Sequence, residues 1–143
     1  MKKLLALALV VVLAFSMAAC GGNKLKDGTY VAEMSDAVAA DSYGWKDTVT
    51  VTVSGGKVTD AVFESYSTED GRPKSGETAE TYPMDPAPSE WIPQLTANLK
   101  AASSADEVAA VAGATNASNN AKKLYAAALQ AAADGNTETV VVE

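Results

Sequence analysis

The stretch Val111-Ala112-Gly113-Ala114-Thr115-Asn116-Ala117-Ser118 combines small residues, hydroxyls and the start of a helical pattern. Small side chains leave backbone N–H groups uncovered, and N–H groups at a helix start attract anions, phosphate above all. Gly113, Ala114, Asn116 and Ser118 are therefore candidates to surround a phosphate. Thr115 adds a hydroxyl clear of bulky neighbours, within reach of a modifying enzyme. A plain turn with Thr115 or Ser118 as helix cap accounts for the same residues. Lys74 and Ser75 offer a cation and a hydroxyl to the same kind of ligand, or form part of a solvated loop.

Several chemistries are excluded. The chain has no histidine and one cysteine among its 143 residues, so a Ser-His-Asp triad, a Cys-His dyad, an intramolecular disulfide and a Cys-based zinc site are all ruled out. The acidic pairs Glu69-Asp70 and Asp106-Glu107, and Glu64, lack the Asp-x-Asp-x-Asp-Gly spacing of a calcium loop and read as solvating charge, so no metal site is expected. Formal charge is −7, and the segment from Cys20 onward carries −9 because Lys2 and Lys3 precede it. Such a surface repels phosphate backbones, and no nucleic-acid partner is expected.

Residues 1–19 have the layout of a secretory signal: Met1-Lys2-Lys3, an apolar run from Leu4 to Phe15, and small residues up to Ala19. Cys20 follows at the position where a lipoprotein signal places its lipid-bearing cysteine, and the surrounding segment resembles a lipobox. A lipidated Cys20 with more than one acyl chain gives stable membrane attachment, and residues 20–25 form the tether.

The elements that position these residues follow from periodicity. Asp27–Met34 alternates after the Asp27-Gly28 turn and predicts a strand. Asp36–Tyr43 reads as a loop. Thr48–Val53 alternates threonine and valine strictly, Ser54-Gly55-Gly56-Lys57 is a tight turn, and Val58–Tyr66 returns as the second arm of a hairpin. Residues 67–88 are polar and turn-rich and belong at the surface. Ser89 reads as the cap of a helix with Trp91, Ile92, Leu95 and Leu99 on one stripe. A second helix is expected over 118–133, ended by Asp134-Gly135-Asn136. The tail 135–143 holds a short edge strand or a frayed end. Together these give an α+β domain over residues 26–134, a small antiparallel sheet with two helices packed on one face.

Gly113-Ala114-Thr115 in its small, hydroxyl-bearing surroundings resembles the acceptor motif of the FMN-binding domain family. Asp27-Gly28-Thr29-Tyr30, Gly44-Trp45-Lys46, the hairpin around Gly55-Gly56, Asp70-Gly71-Arg72-Pro73-Lys74-Ser75 and Asn116 to Leu124 are similar to its lipoprotein branch, over about residues 26–131. The resemblance implies FMN as cofactor, esterified through its phosphate to Thr115 by a flavin transferase. It places the phosphate at the start of the second helix and the isoalloxazine ring on an aromatic surface. Tyr43, Trp45, Tyr82 and Trp91 are the candidates for that surface. It also implies an electron carrier rather than an enzyme, anchored through Cys20 on the extracytoplasmic side of a bacterial membrane. Its electrons would pass to redox partner proteins or external acceptors. The chain has Ala109 where the family motif carries Asp and Ala112 where it carries Ser or Thr. Those departures leave two alternatives, noncovalent flavin and a flavin-free surface lipoprotein acting as an interaction module.

Overall fold

A computed structural model describes residues 24–143. The signal-like segment 1–19, Cys20 and the first residues of the tether lie outside the described residues. β1 (Gly28–Met34), β2 (Trp45–Ser54) and β3 (Lys57–Ser67) form an antiparallel meander. Their alternation sorts the side chains: Tyr30, Ala32, Met34, Val49, Val51, Val53, Ala61 and Phe63 are all buried in the core. Gly55 and Gly56 have φ of 62° and 75°, the two positive values a two-residue hairpin turn demands.

The tail supplies β4 (Val140–Val142), which pairs in parallel with β1 and gives the order β3-β2-β1-β4. The class is α+β, with a mixed sheet where the sequence predicted an antiparallel one. Ser35 holds the added strand: its N–H donates to the Val142 carbonyl (2.8 Å) and its Oγ to Glu143 Oε2 (2.9 Å). The same Oγ accepts from the Val38 N–H and caps a short helix, α1 (Asp36–Asp41), in the stretch expected to be a loop. Six residues are too few for a hydrophobic period to register.

The two longer helices, α2 (Pro88–Ala101) and α3 (Thr115–Asp134), both start earlier than their sequence patterns suggest. In α2 the cap is Ala87, not Ser89. Pro88 sets the first turn, and the Glu90 carboxylate accepts from the Ala87 N–H at 3.0 Å. α3 takes in Thr115 itself rather than beginning at residue 118, and ends at Gly135 with φ 71°. Trp91, Ile92, Leu95 and Leu99 of α2, with Ala121, Leu124, Tyr125, Ala128 and Ala132 of α3, close the core with the sheet residues. Truncating Leu95 or Leu124 to Ala would cost about 2–5 kcal/mol.

β3 forms one edge of the sheet, and its amides are engaged by local groups. Ala61 N–H donates to Asp60 Oδ1, Phe63 N–H to Thr96 Oγ1, Ser65 N–H to Glu64 Oε1 and Ser67 N–H to the Arg72 carbonyl, all at 2.9–3.0 Å. Thr96 Oγ1 also donates to the Phe63 carbonyl (3.2 Å), fastening α2 to this edge. Among the described residues no helix is long and apolar enough to cross a membrane.

Candidate functional site

Val108, Val111 and Ala114 point into the core and pin the loop that leads to α3. Between them Gly113 takes φ 85°, and a Cβ there would stand 2.6 Å from Pro86 Cδ and 3.0 Å from the Asp85 carbonyl. Only glycine passes this point. The loop is locked from the other side by Ser118, which is 0 % exposed. Its Oγ accepts from the Val111 N–H (3.0 Å) and donates to the Ala114 carbonyl (2.7 Å). Ser118 is thus a brace behind the loop, not a group facing a ligand. Removing it would leave the Val111 N–H buried without a partner. Ser118→Ala is therefore expected to lower stability by about 1–3 kcal/mol, read as a lower urea midpoint at unchanged slope.

The first intrahelical bond of α3 runs from the Ser118 N–H to the Ala114 carbonyl (2.9 Å). The N–H groups of Thr115, Asn116 and Ala117 precede it, as at any helix start. No acidic side chain occupies that first turn to neutralise the dipole. Gly113, Ala114, Thr115 and Asn116 line a cleft of about 390 Å³, a volume typical of small-molecule sites. All four aromatics singled out above reach it: Tyr43, Trp45, Tyr82 and Trp91. Trp45 and Tyr82 meet edge to face with centroids 6.1 Å apart. Tyr43 stands at the cleft 88 % exposed, with φ 59°.

Lys74 also lines the cleft. Its ammonium lies 4.4 Å from the Tyr82 ring centre, 5.2 Å from Trp45 and 5.9 Å from Trp91. The rings hold a cation opposite the helix start. Ser75 is not part of this arrangement. Its Oγ donates to Glu64 Oε2 (2.6 Å) and its N–H to Glu64 Oε1 (3.1 Å), which fixes the turn that presents Lys74. The Trp91 indole Nε1 is buried and makes no hydrogen bond.

Among the lining residues that escaped the sequence reading are Asp47 and Asn120, joined by an Asn120 Nδ2 to Asp47 Oδ2 hydrogen bond of 2.9 Å. The signal was available: Asp47 occupies the same β2 face as Val49, Val51 and Val53, a polar residue in an inward row. Burial pushes its carboxyl above the usual carboxylate range, while the Asn120 hydrogen bond and the Lys74 charge pull it back. The fold thus disfavours the charged form relative to the unfolded chain. The cost of ionising Asp47 is absent below the ordinary carboxylate pKa and grows as pH rises through the raised one. Asp47→Asn should therefore be more stable than the native chain at neutral pH, with the gap closing toward about pH 3. Urea titrations across this range check it, and a gap independent of pH would contradict it. Among the described residues no group of three or more His, Cys, Asp or Glu side chains is placed to hold a metal ion.

Comparison with known proteins gives a consistent picture. The family described as FMN-binding domain matches residues 43–130. A 15 kDa lipoprotein of Treponema pallidum (strain Nichols) is 32 % identical over 133 residues, covering 90 % of this chain and 92 % of that protein. A crystal structure of a Clostridium perfringens protein superposes with a TM-score of 0.73 at 34 % identity, covering 82 % of this chain and 97 % of the other.

Proposed function

The chain belongs to the FMN-binding domain family, with FMN as its cofactor, and from that premise we propose that it is a lipid-anchored, extracytoplasmic flavoprotein that carries FMN on Thr115 and relays electrons. The observation that carries the reading is the position of Thr115. Its hydroxyl belongs to the first turn of α3, beside a cleft walled by aromatic side chains.

The residues present suit the group. Phosphate is an anion, and the uncompensated first turn of α3 and the Lys74 ammonium both favour one there. Gly113 lets the backbone pass close behind that position, where any side chain would strike Pro86. A flat heteroaromatic ring presents acceptors and two apolar faces. The buried, unpartnered Trp91 Nε1 is a donor in need of an acceptor, and Trp45, Tyr82 and the exposed Tyr43 offer ring surfaces. When bound, FMN supplies reversible uptake and release of electrons. The chain's own part is to retain it, orient it and partly shield it from water. An ester on Thr115 would keep the cofactor from diffusing away outside the cell.

Anchoring rests on the lipobox-like segment ending at Cys20 and on the relative described as a lipoprotein. The decisive test is the intact mass of the mature chain made with and without a flavin transferase, followed by peptide mapping. The expected result is an added FMN less water on the peptide containing Thr115, only when the transferase is present. A yellow protein of unmodified mass would leave a noncovalent flavoprotein, and a colourless one would sink the reading.

A further inference from the structure

The two ends of the molecule carry different equipment. Lys24–Asp27, where the described chain begins, is bound to the C-terminal end of α3. Lys26 N–H donates to the Ala132 carbonyl (2.9 Å) and Lys26 Nζ to the Asp134 carbonyl (3.1 Å). Asp27 Oδ1 accepts from the Gly56 N–H (3.0 Å), which ties the same segment to the β2–β3 turn. The cleft lies at the other end, against the first turn of α3 and the first residues of β2. Two rulers give the separation. Thr115 to Ala132 along α3 is about 25 Å, and Trp45 to Ser54 along β2 is about 30 Å.

Covalent geometry limits the chain between Cys20 and Lys24 to about 14 Å at full extension. That length brings the Lys24–Asp27 end within reach of a bilayer holding Cys20 but is much shorter than the domain. Lys24, Lys26 and Lys57 are exposed at the anchored end together with Asp27 and Asp60, so it is the short tether and not charge at that end that sets which way the domain stands. Around the cleft the exposed side chains include Asp41, Glu69, Asp70, Glu80 and Asp85, which an anionic lipid surface repels.

We propose that the cleft faces away from the membrane, so that the flavin meets its redox partners from the aqueous side and not from within the bilayer. This rests on the lipid anchor at Cys20 and on the flavin reading of the cleft, and it adds the class of partner: water-borne molecules rather than membrane-dissolved quinols.

The chain contains its own reporters, because its only two tryptophans, Trp45 and Trp91, both line the cleft. The full lipidated chain is bound to phosphatidylglycerol–phosphatidylethanolamine vesicles, with or without a nitroxide quencher on the lipid headgroup. Tryptophan emission is then compared between the two. The native chain should sediment with both vesicles and show equal emission. A Lys24→Trp chain should lose its added emission on the quencher vesicles. Native emission quenched to the same degree would overturn the orientation while leaving the anchor in place. A bound Lys24→Trp chain that stays bright would overturn the short-tether argument. A chain that remains in solution would overturn the anchor, and this proposal with it.

Discussion

Thr115→Ala is expected to abolish the transferase-dependent mass increase of one FMN, whatever fraction of native chains carries it, with little change in stability. Thr115 is exposed at the first position of α3, whose cap is Ala114, so the variant removes a hydroxyl without opening a cavity. Substitutions of that kind stay within about 0.5 kcal/mol. Thr115→Ser keeps the hydroxyl and should keep the added mass. The same experiment reads the two alanines that depart from the family motif. Ala109 and Ala112 are exposed, and Ala109 contributes only its carbonyl, which accepts from Asn98 Nδ2 at 2.8 Å. Ala109→Asp combined with Ala112→Ser should leave the fold unchanged and raise the fraction of chains modified. Added mass persisting in Thr115→Ala would place the linkage on another hydroxyl.

Gly113→Ala is the variant expected to damage both fold and flavin loading. Two costs combine. A side chain at φ 85° is strained by about 1–2 kcal/mol. The new methyl would also meet Pro86 Cδ at 2.6 Å and the Asp85 carbonyl at 3.0 Å, ring and backbone atoms with no flexible end to yield. Overpacking of that order adds about 1–3 kcal/mol, so the expected loss is roughly 2–5 kcal/mol. Gly71→Ala separates the two contributions, since Gly71 has φ 73° and open space around it. It should show the backbone cost alone and normal flavin content. Urea unfolding gives the stabilities, and flavin absorbance per folded chain gives the loading. Equal losses for the two variants would mean that contact with Pro86 is immaterial.

The parts of this fold legible in the sequence were those with long, regular periods. The Thr-Val alternation of β2 fixed which face is buried, and the stripe from Trp91 to Leu99 marked α2. What escaped depended on neighbours distant in sequence. β4 has three residues, and its pairing with β1 depends on Ser35, about a hundred positions away. α1 is shorter than two helical turns. In the site, Gly113, Ala114, Thr115, Asn116 and Lys74 line the cleft together with the four aromatics named from sequence. Ser118 and Ser75 turned out to support that cleft from behind because their hydroxyls are committed to the Val111–Ala114 loop and to Glu64. A hydroxyl's type says that it can bind a ligand. Only the fold says whether another group has already claimed it.

The side-chain oxygens along β3 have a consequence for how two copies of this chain can meet. An open strand edge is a template on which a second copy can lay its own strand, the first step toward aggregation. Here Asp60, Thr96 and Glu64 already engage the amides of Ala61, Phe63 and Ser65, and the chain's own turn engages that of Ser67. Neighbouring copies therefore find that row already spoken for. A strand adding at β3 would first have to displace these bonds.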